Sequence, residues 1–154
     1  MSFWDSLKIG SSALSAQRLR LDLISNNIAN AETTRTAAGG PYKRQDVVFT
    51  TQGQQNSFLP ALVAANQQQE GIPASQANLG GVQVAQIVTD QTPGQRVYDP
   101  THPDADANGY VTYPNVDLVV EMTNMMSATR SYEANLAMIN ASKDMALKAL
   151  DIGK

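Results

Sequence analysis

The stretch Leu19 to Thr36, LRLDLISNNIANAETTRT, decides the fold. It carries an amphipathic helix straight into a cluster of asparagines and then into threonine, alanine and glycine. Asn26, Asn27 and Asn30 are poor acids, bases and nucleophiles, so the end of this helix does not read as the delivery of a catalytic group. Working back from it, Leu7, Leu14, Leu21 and Ile28 recur every seven residues, with Phe3, Gly10, Gln17, Ile24 and Ala31 at the alternate positions of a heptad seam. The spacing predicts a helix from about Ser2 to Ala29, opened by a Ser2/Asp5 capping box. Gly10, about 1 kcal/mol worse than Ala in a helix interior, and Gln17 are its weak seam positions.

A second and longer periodic segment runs from about Val116 to Ile152. Leu118, Met122, Met125, Thr129, Tyr132, Leu136, Ile139, Ala146 and Leu150 follow the same 3-4 spacing, with Lys143 the one charged intruder. Val119, Met126, Met138, Met145, Ala149 and Ile152 widen the apolar face, which calls for more than one partner surface. Asn115 is the expected N-cap and Gly153 the expected C-cap, with Asp117 and Glu121 in the first turns complementing the helix dipole.

Between the helices, DVVFTT and GVQVAQIVTD read as strands, and TPGQRVYDP as a turn leading into a further short strand that closes a hairpin. Thr51 to Gln69 holds six glutamines and few charges, the composition of a flexible insertion extending to about residue 78. The expected fold is mainly α with a small β part. Long terminal helices pair as an antiparallel coiled coil, residues 1–34 and 115–154 forming a discontinuous helical core around a β and loop segment at 35–114. Amphipathic helices of this kind gain most of their stability by burying a face, against each other or against neighbours.

Composition narrows the chemistry. Net charge is -3 with both signs scattered, so no basic stripe exists to neutralise phosphates, and nucleic acid is not an expected partner. The absence of cysteine removes thiolate chemistry and disulfides. No apolar run reaches the roughly 18 residues of a membrane span. SALSA (Ser12 to Ala16) imitates a cleavage site, but Asp5 and Lys8 interrupt the segment before it, so the chain is expected to stay in the cytoplasm or leave without N-terminal cleavage. DADANG (Asp104 to Gly109) matches the opening of an EF-hand loop, yet the bidentate glutamate position is Asn115 and Pro100 and Pro103 precede it; an Asx/Gly turn is the expected structure, and a calcium-dependent binding module the alternative from a different class. The lone His102 cannot build a metal cluster or a triad. No catalytic residue, cofactor or metal site is expected.

The segments SALSAQRLRLDLISNNIANAETTRT and YPNVDLVVEMTNMMSATRSYEANLAMINASKDMALKALDIGK resemble the bacterial flagellar rod and hook family, with SNNIANAET (Ser25 to Thr33) matching its N-terminal signature. YKRQDVVF, VYDPTHPDADANGYV and RSYEAN look like signatures of one proximal-rod subunit; another proximal-rod subunit is the alternative within the family. The resemblance implies a structural protein of the proximal rod, the shaft linking the rotor ring to the distal rod and hook, exported unfolded through the flagellar type III apparatus without signal-peptide cleavage. It implies other rod proteins, copies of the chain itself, and rotor-ring and export-gate components as partners. The terminal helices would line the export channel, with Leu7, Leu14, Leu21, Ile24, Ile28, Leu118, Met122, Met125, Tyr132, Leu136, Ile139 and Leu150 in helix or subunit interfaces and Asn26, Asn27 and Asn30 where the first helix turns into an interface loop.

Overall fold

In the computed structural model, residues 3–52 and 80–152 are described. They form α1 (Phe3–Ala29), β1 (Gln45–Thr51), β2 (Val82–Thr89), β3 (Arg96–Tyr98), β4 (Tyr110–Thr112) and α2 (Leu118–Ile152). The expected Gln-rich segment and Gly153 cap fall almost wholly outside the described residues, as do Ser2 and the side chain of Phe3.

Helix α1 ends as the asparagine-rich stretch forces it to. Both the backbone N–H and the side-chain Nδ2 of Asn30 donate to the Asn26 carbonyl, at 3.1 and 2.9 Å, and the turn then tightens through Ala31 N to Ile28 O and Thr33 N to Asn30 O. Two carbonyls that a helix end would leave open are satisfied in this way. At the other junction the cap is Asp117, not Asn115: its Oδ1 accepts from the N–H groups of Val119 and Val120, while the Asn115 amide reaches Asp90. A carboxylate one residue before the first helical position reaches those amides and meets the positive end of the dipole, so α2 starts two residues later than the sequence spacing predicted.

The helices are antiparallel. Gly10 of α1 lies against Ile139 of α2, and Asn27 against Glu121, so residue number falls along α2 as it rises along α1. At 1.5 Å per residue α2 is about 52 Å long and α1 about 40 Å, so the last turns of α2 outrun α1. The half-buried and buried positions of α2 include Glu121, Met125, Ala128, Tyr132, Asn135, Ile139, Ser142 and Ala146, a strict 4-3 heptad. This corrects the predicted seam at alternate positions: Glu121, Ala128, Asn135 and Ser142 face α1 where Met122, Thr129, Leu136 and Lys143 were expected. Small and polar residues win because the helices approach closely. A Cβ on Gly10 would sit 2.7 Å from Ile139 Cγ1, so the glycine is the notch that receives the Ile139 side chain rather than a mere weakness.

β1 and β2 pair antiparallel from Gln45↔Thr89 to Thr51↔Val82, with a bulge between Val48 and Phe49; β3 and β4 form a second, three-residue ladder. The expected hairpin of β2 with the Arg96–Tyr98 strand does not form. After β2 the Asp90 carboxylate caps the turn through Thr92 N, and Gly94 passes so close to the Tyr113 carbonyl that a Cβ there would lie 1.8 Å away. Tyr113 N then donates to Gln95 O, which commits the following residues to pair with the strand leading into α2.

The β1–β2 ribbon lies along α1 and is pinned at both ends. Ser12 Oγ accepts from Val82 N at 3.0 Å, and Asn27 holds both backbone polar groups of Gln45. Ser12 and Asn27 are about 22 Å apart along the helix, and β1 spans about 20 Å at strand rise, so the two lengths match. Ala16 and Leu23 are buried in the stretch of α1 between the pins.

Candidate functional site: a polar clasp and an open helix flank

Two of the three largest fully buried side chains among the described residues are polar: Asn27 and Glu121, each 0% exposed, beside Val111. Their positions explain this. Asn27 sits on the last turn of α1, Tyr42 and Arg44 just before β1 and Gln45 at its first position, and Glu121 on the first turn of α2, so three segments distant in sequence meet at one point. The Asn27 amide is saturated. Its Nδ2 donates to Gln45 O (2.8 Å) and Glu121 Oε2 (3.0 Å), and its Oδ1 accepts from Gln45 N and the Tyr42 hydroxyl (both 2.9 Å). Glu121 Oε1 accepts from Arg44 Nε and Nη2, both at 2.9 Å, and from Asn124 Nδ2 at 3.3 Å.

Electrostatics follow from the burial. Desolvation, reinforced by the Glu121 carboxylate, holds the Tyr42 phenol above its ordinary pKa, in the protonated form that donates to Asn27. Burial works against the Arg44 charge but is outweighed by hydrogen bonding and attraction from Glu121 and Asp46, so its pKa is raised. The sequence reading gave Glu121 only a dipole role at the helix start, and gave Tyr42, Arg44 and Gln45 a place in the YKRQDVVF signature but no role. The one signal available was that Glu121 begins the alternative heptad 121-125-128-132-135-139.

The predicted interface residues separate into groups. Ile24, Asn27 and Ile139 are buried or half-buried within the helix pair. Leu7, Leu14, Leu21 and Ile28 form a half-buried stripe along one edge of α1, and Leu14 shares a surface groove with Tyr132 of α2. Met125 and Tyr132 are half-buried, whereas Leu118, Met122 and Leu136 are 44%, 49% and 43% exposed. These last three are therefore corrected out of the intramolecular seam. By helical periodicity they continue the Leu14–Tyr132 edge, giving the pair one flank of half-covered leucine, methionine and tyrosine; the ribbon packs on α1 elsewhere. Leu150, 70% exposed, lies on the portion of α2 beyond α1. Asn26 is exposed, and Asn30 belongs to the helix-ending turn rather than to the clasp. Val119, Met126, Met138, Met145 and Leu147 are also exposed, far more apolar helix surface than one partner covers.

The Asp104–Gly109 segment is the loop joining β3 to β4. Gly109 has φ +74°, and its N–H donates to Asp106 O at 2.8 Å, the turn expected from the sequence. Asp104 accepts from the Thr34 hydroxyl and faces Arg35, while Asp106 pairs with Arg96, so the two carboxylates serve different partners. Among the described residues no group of three or more His, Cys, Asp or Glu side chains could hold a metal ion. Asp99 caps the same loop by accepting from the hydroxyl and backbone N–H of Thr101, which lowers its pKa.

A helix pair locked by its own polar clasp, with an apolar flank left open along its length, has the build of an assembly subunit. Residues 7–35 match the family described as Flagella basal body rod protein, and residues 107–152 match Flagellar basal body rod FlgEFG protein C-terminal. The chain belongs to the flagellar basal-body rod protein family. Within it, the chain is similar over its full length to the proteins called Flagellar basal-body rod protein FlgC. It is 45% identical to that of Borreliella burgdorferi, over 99% of this chain and 98% of the relative, and 45% identical to that of Bacillus subtilis over the whole of both. With the Salmonella typhimurium protein the identity is 40%, again over the whole of both. The relatives are flagellar basal-body rod proteins by name, and no helix among the described residues is long and apolar enough to cross a membrane.

Proposed function

We propose that the chain is a proximal-rod subunit that carries torque from the rotor ring to the distal rod and hook. Its terminal helices, residues 1–34 with 115–154, pack against those of other rod proteins and of its own copies around the export channel, and rotor-ring and export-gate components meet the rod at its base. It reaches that place unfolded, through the flagellar type III apparatus and without signal-peptide cleavage. The observation that supports this reading is the open flank. Leu7, Leu14, Leu21, Ile28, Leu118, Met122, Met125, Tyr132 and Leu136 form a lengthwise apolar edge, and a shaft under torsion is best joined by such extended contacts, because load is shared among many small packing terms.

The experiment is a charge placed on that edge. Leu136→Asp is expected to leave the purified chain folded with an unchanged denaturation midpoint, since the side chain is exposed, and to abolish swimming and the recovery of complete basal bodies from cells carrying it as the sole copy. Normal swimming in this variant would refute the assignment of the flank.

A further inference from the structure

We propose that Glu121, acting with Asn27 and Arg44, is the register lock of the helix pair: the clasp selects one axial alignment of α1 against α2, and contributes that selection more than it contributes stability. The seam itself specifies alignment weakly. Small or polar residues recur along it, Gly10 and Gln17 on α1, and Ala128, Asn135 and Ser142 on α2. A heptad pattern repeats after seven residues, so a slip of about 10 Å would again set small side chains against small ones.

Two contacts break this degeneracy. One is the Ile139 side chain in the Gly10 notch, which a slip of seven residues would set at the level of Gln17 or at the end of α1; it is apolar and can change rotamer there. Glu121 is different, because its carboxylate is fully buried and two of its three hydrogen-bond partners lie off α2, Asn27 on α1 and Arg44 just before β1, while Asn124 travels with it. A slip by one heptad would carry it to the level of Arg20, which lines the same cavity and could take the charge. Asn27 Nδ2 would still lose an acceptor, and Arg44, with its side chain only 25% exposed, would lose its principal partner. A buried polar group of this kind penalises every alignment but one, whereas replacing a whole buried ion pair by apolar groups is often neutral or stabilising. That contrast separates a lock from a strut.

The test uses the purified full-length chain. Cysteine is absent from the sequence, so Ser15→Cys and Asp144→Cys, at exposed positions of α1 and α2 offset by about 15 Å along the pair, carry two spin labels without interference, and pulsed dipolar spectroscopy reads their separation. The parent, in which Glu121 Oε2 accepts from Asn27 and Oε1 from Arg44, is expected to give one narrow distance. Arg44→Met combined with Glu121→Leu strands only the Asn27 Nδ2 donor, so it is expected to keep its helix content, with an unfolding constant raised much less than in Glu121→Leu alone, while the distribution spreads by about 5 Å or more. Glu121→Leu alone strands Arg44 and is expected to raise the unfolding constant roughly 10²- to 10³-fold. A narrow parental distance in the double variant, or loss of its folded state, would overturn the proposal. The readout is made on the isolated chain, so it stands or falls independently of the rod assignment.

Discussion

Asn27→Ala is the substitution that most sharply separates one asparagine of the SNNIAN stretch from the other two. Truncation removes four hydrogen bonds at once and leaves the Gln45 N–H and C=O with no partner at the position Asn27 occupied. Each buried backbone group stranded in this way costs about 1–3 kcal/mol, against about 1 kcal/mol for an ordinary hydrogen bond lost at the surface. Local relaxation and water entry lower the sum, so the expected loss is about 3–4 kcal/mol. For a domain of about this size 1 kcal/mol moves the midpoint by about 2–4 °C, so Tm should fall by about 6–16 °C. Urea denaturation followed by far-ultraviolet circular dichroism measures the loss directly. Asn26→Ala, at an exposed position, should stay within about 0.5 kcal/mol, and Asn30→Ala, which loses the Nδ2 bond to Asn26 O and the Thr33 contact, within about 1 kcal/mol. A loss below about 1 kcal/mol for Asn27→Ala, or equal losses for the three, would refute the clasp as a buried, saturated network.

Gln17 Oε1 is buried without a hydrogen-bond partner among the described residues. Gln17→Met, similar in shape, should therefore raise stability by about 1–2 kcal/mol; a decrease in the denaturation midpoint would show that the amide is satisfied in solution. Gly10→Val drives a branched side chain into Ile139 and should destabilise by about 1–3 kcal/mol, and Ile139→Ala in the same chain should recover part of that loss in a double-mutant cycle. Simple additivity of the two would count against the notch. The raised Tyr42 pKa means that the folded state favours the neutral phenol. Its contribution is full below the unfolded value near pH 10 and is lost as pH rises through the higher folded value. Stability measured from pH 9 to 11 should consequently fall more steeply in the parent than in Tyr42→Phe, and parallel curves would contradict the assignment.

The two helices were legible because heptad periodicity is a local property, and Leu7, Leu14, Leu21 and Ile28 announce it without reference to the rest of the chain. The rotation of α2 about its axis was not. Reading the seam by hydrophobicity selected Met122 and Leu136, when close approach at Gly10 and Ala128 called for small residues and the buried Glu121 was satisfied by Arg44, 77 residues away. No pattern within α2 reports that partner. Strand positions could be read from alternation and turn residues, but pairing depends on contacts such as Gly94 against Tyr113, which sequence spacing does not encode. The same blindness explains the asparagines. Asn26, Asn27 and Asn30 are equivalent as residue types, and only the arrival of Gln45 and Glu121 beside one of them makes it the centre of the clasp.

The misplaced residues carry information of their own. Leu118, Met122 and Leu136 follow a regular apolar spacing yet are left exposed by the helix pair, as expected when a sequence encodes contacts with neighbours as well as its own fold. The chain holds no cysteine, so Leu136→Cys supplies a single reactive thiol on that edge. The most direct test of a rod subunit assembled through its open flank is to compare maleimide labelling of this thiol in the purified chain and in isolated basal bodies, with Gln83→Cys on the exposed face of β2 as reference for probe access. The account predicts rapid labelling of the Leu136→Cys thiol in the free chain and strong protection in the basal body. Equal labelling in both, in basal bodies shown to contain the protein, would contradict it.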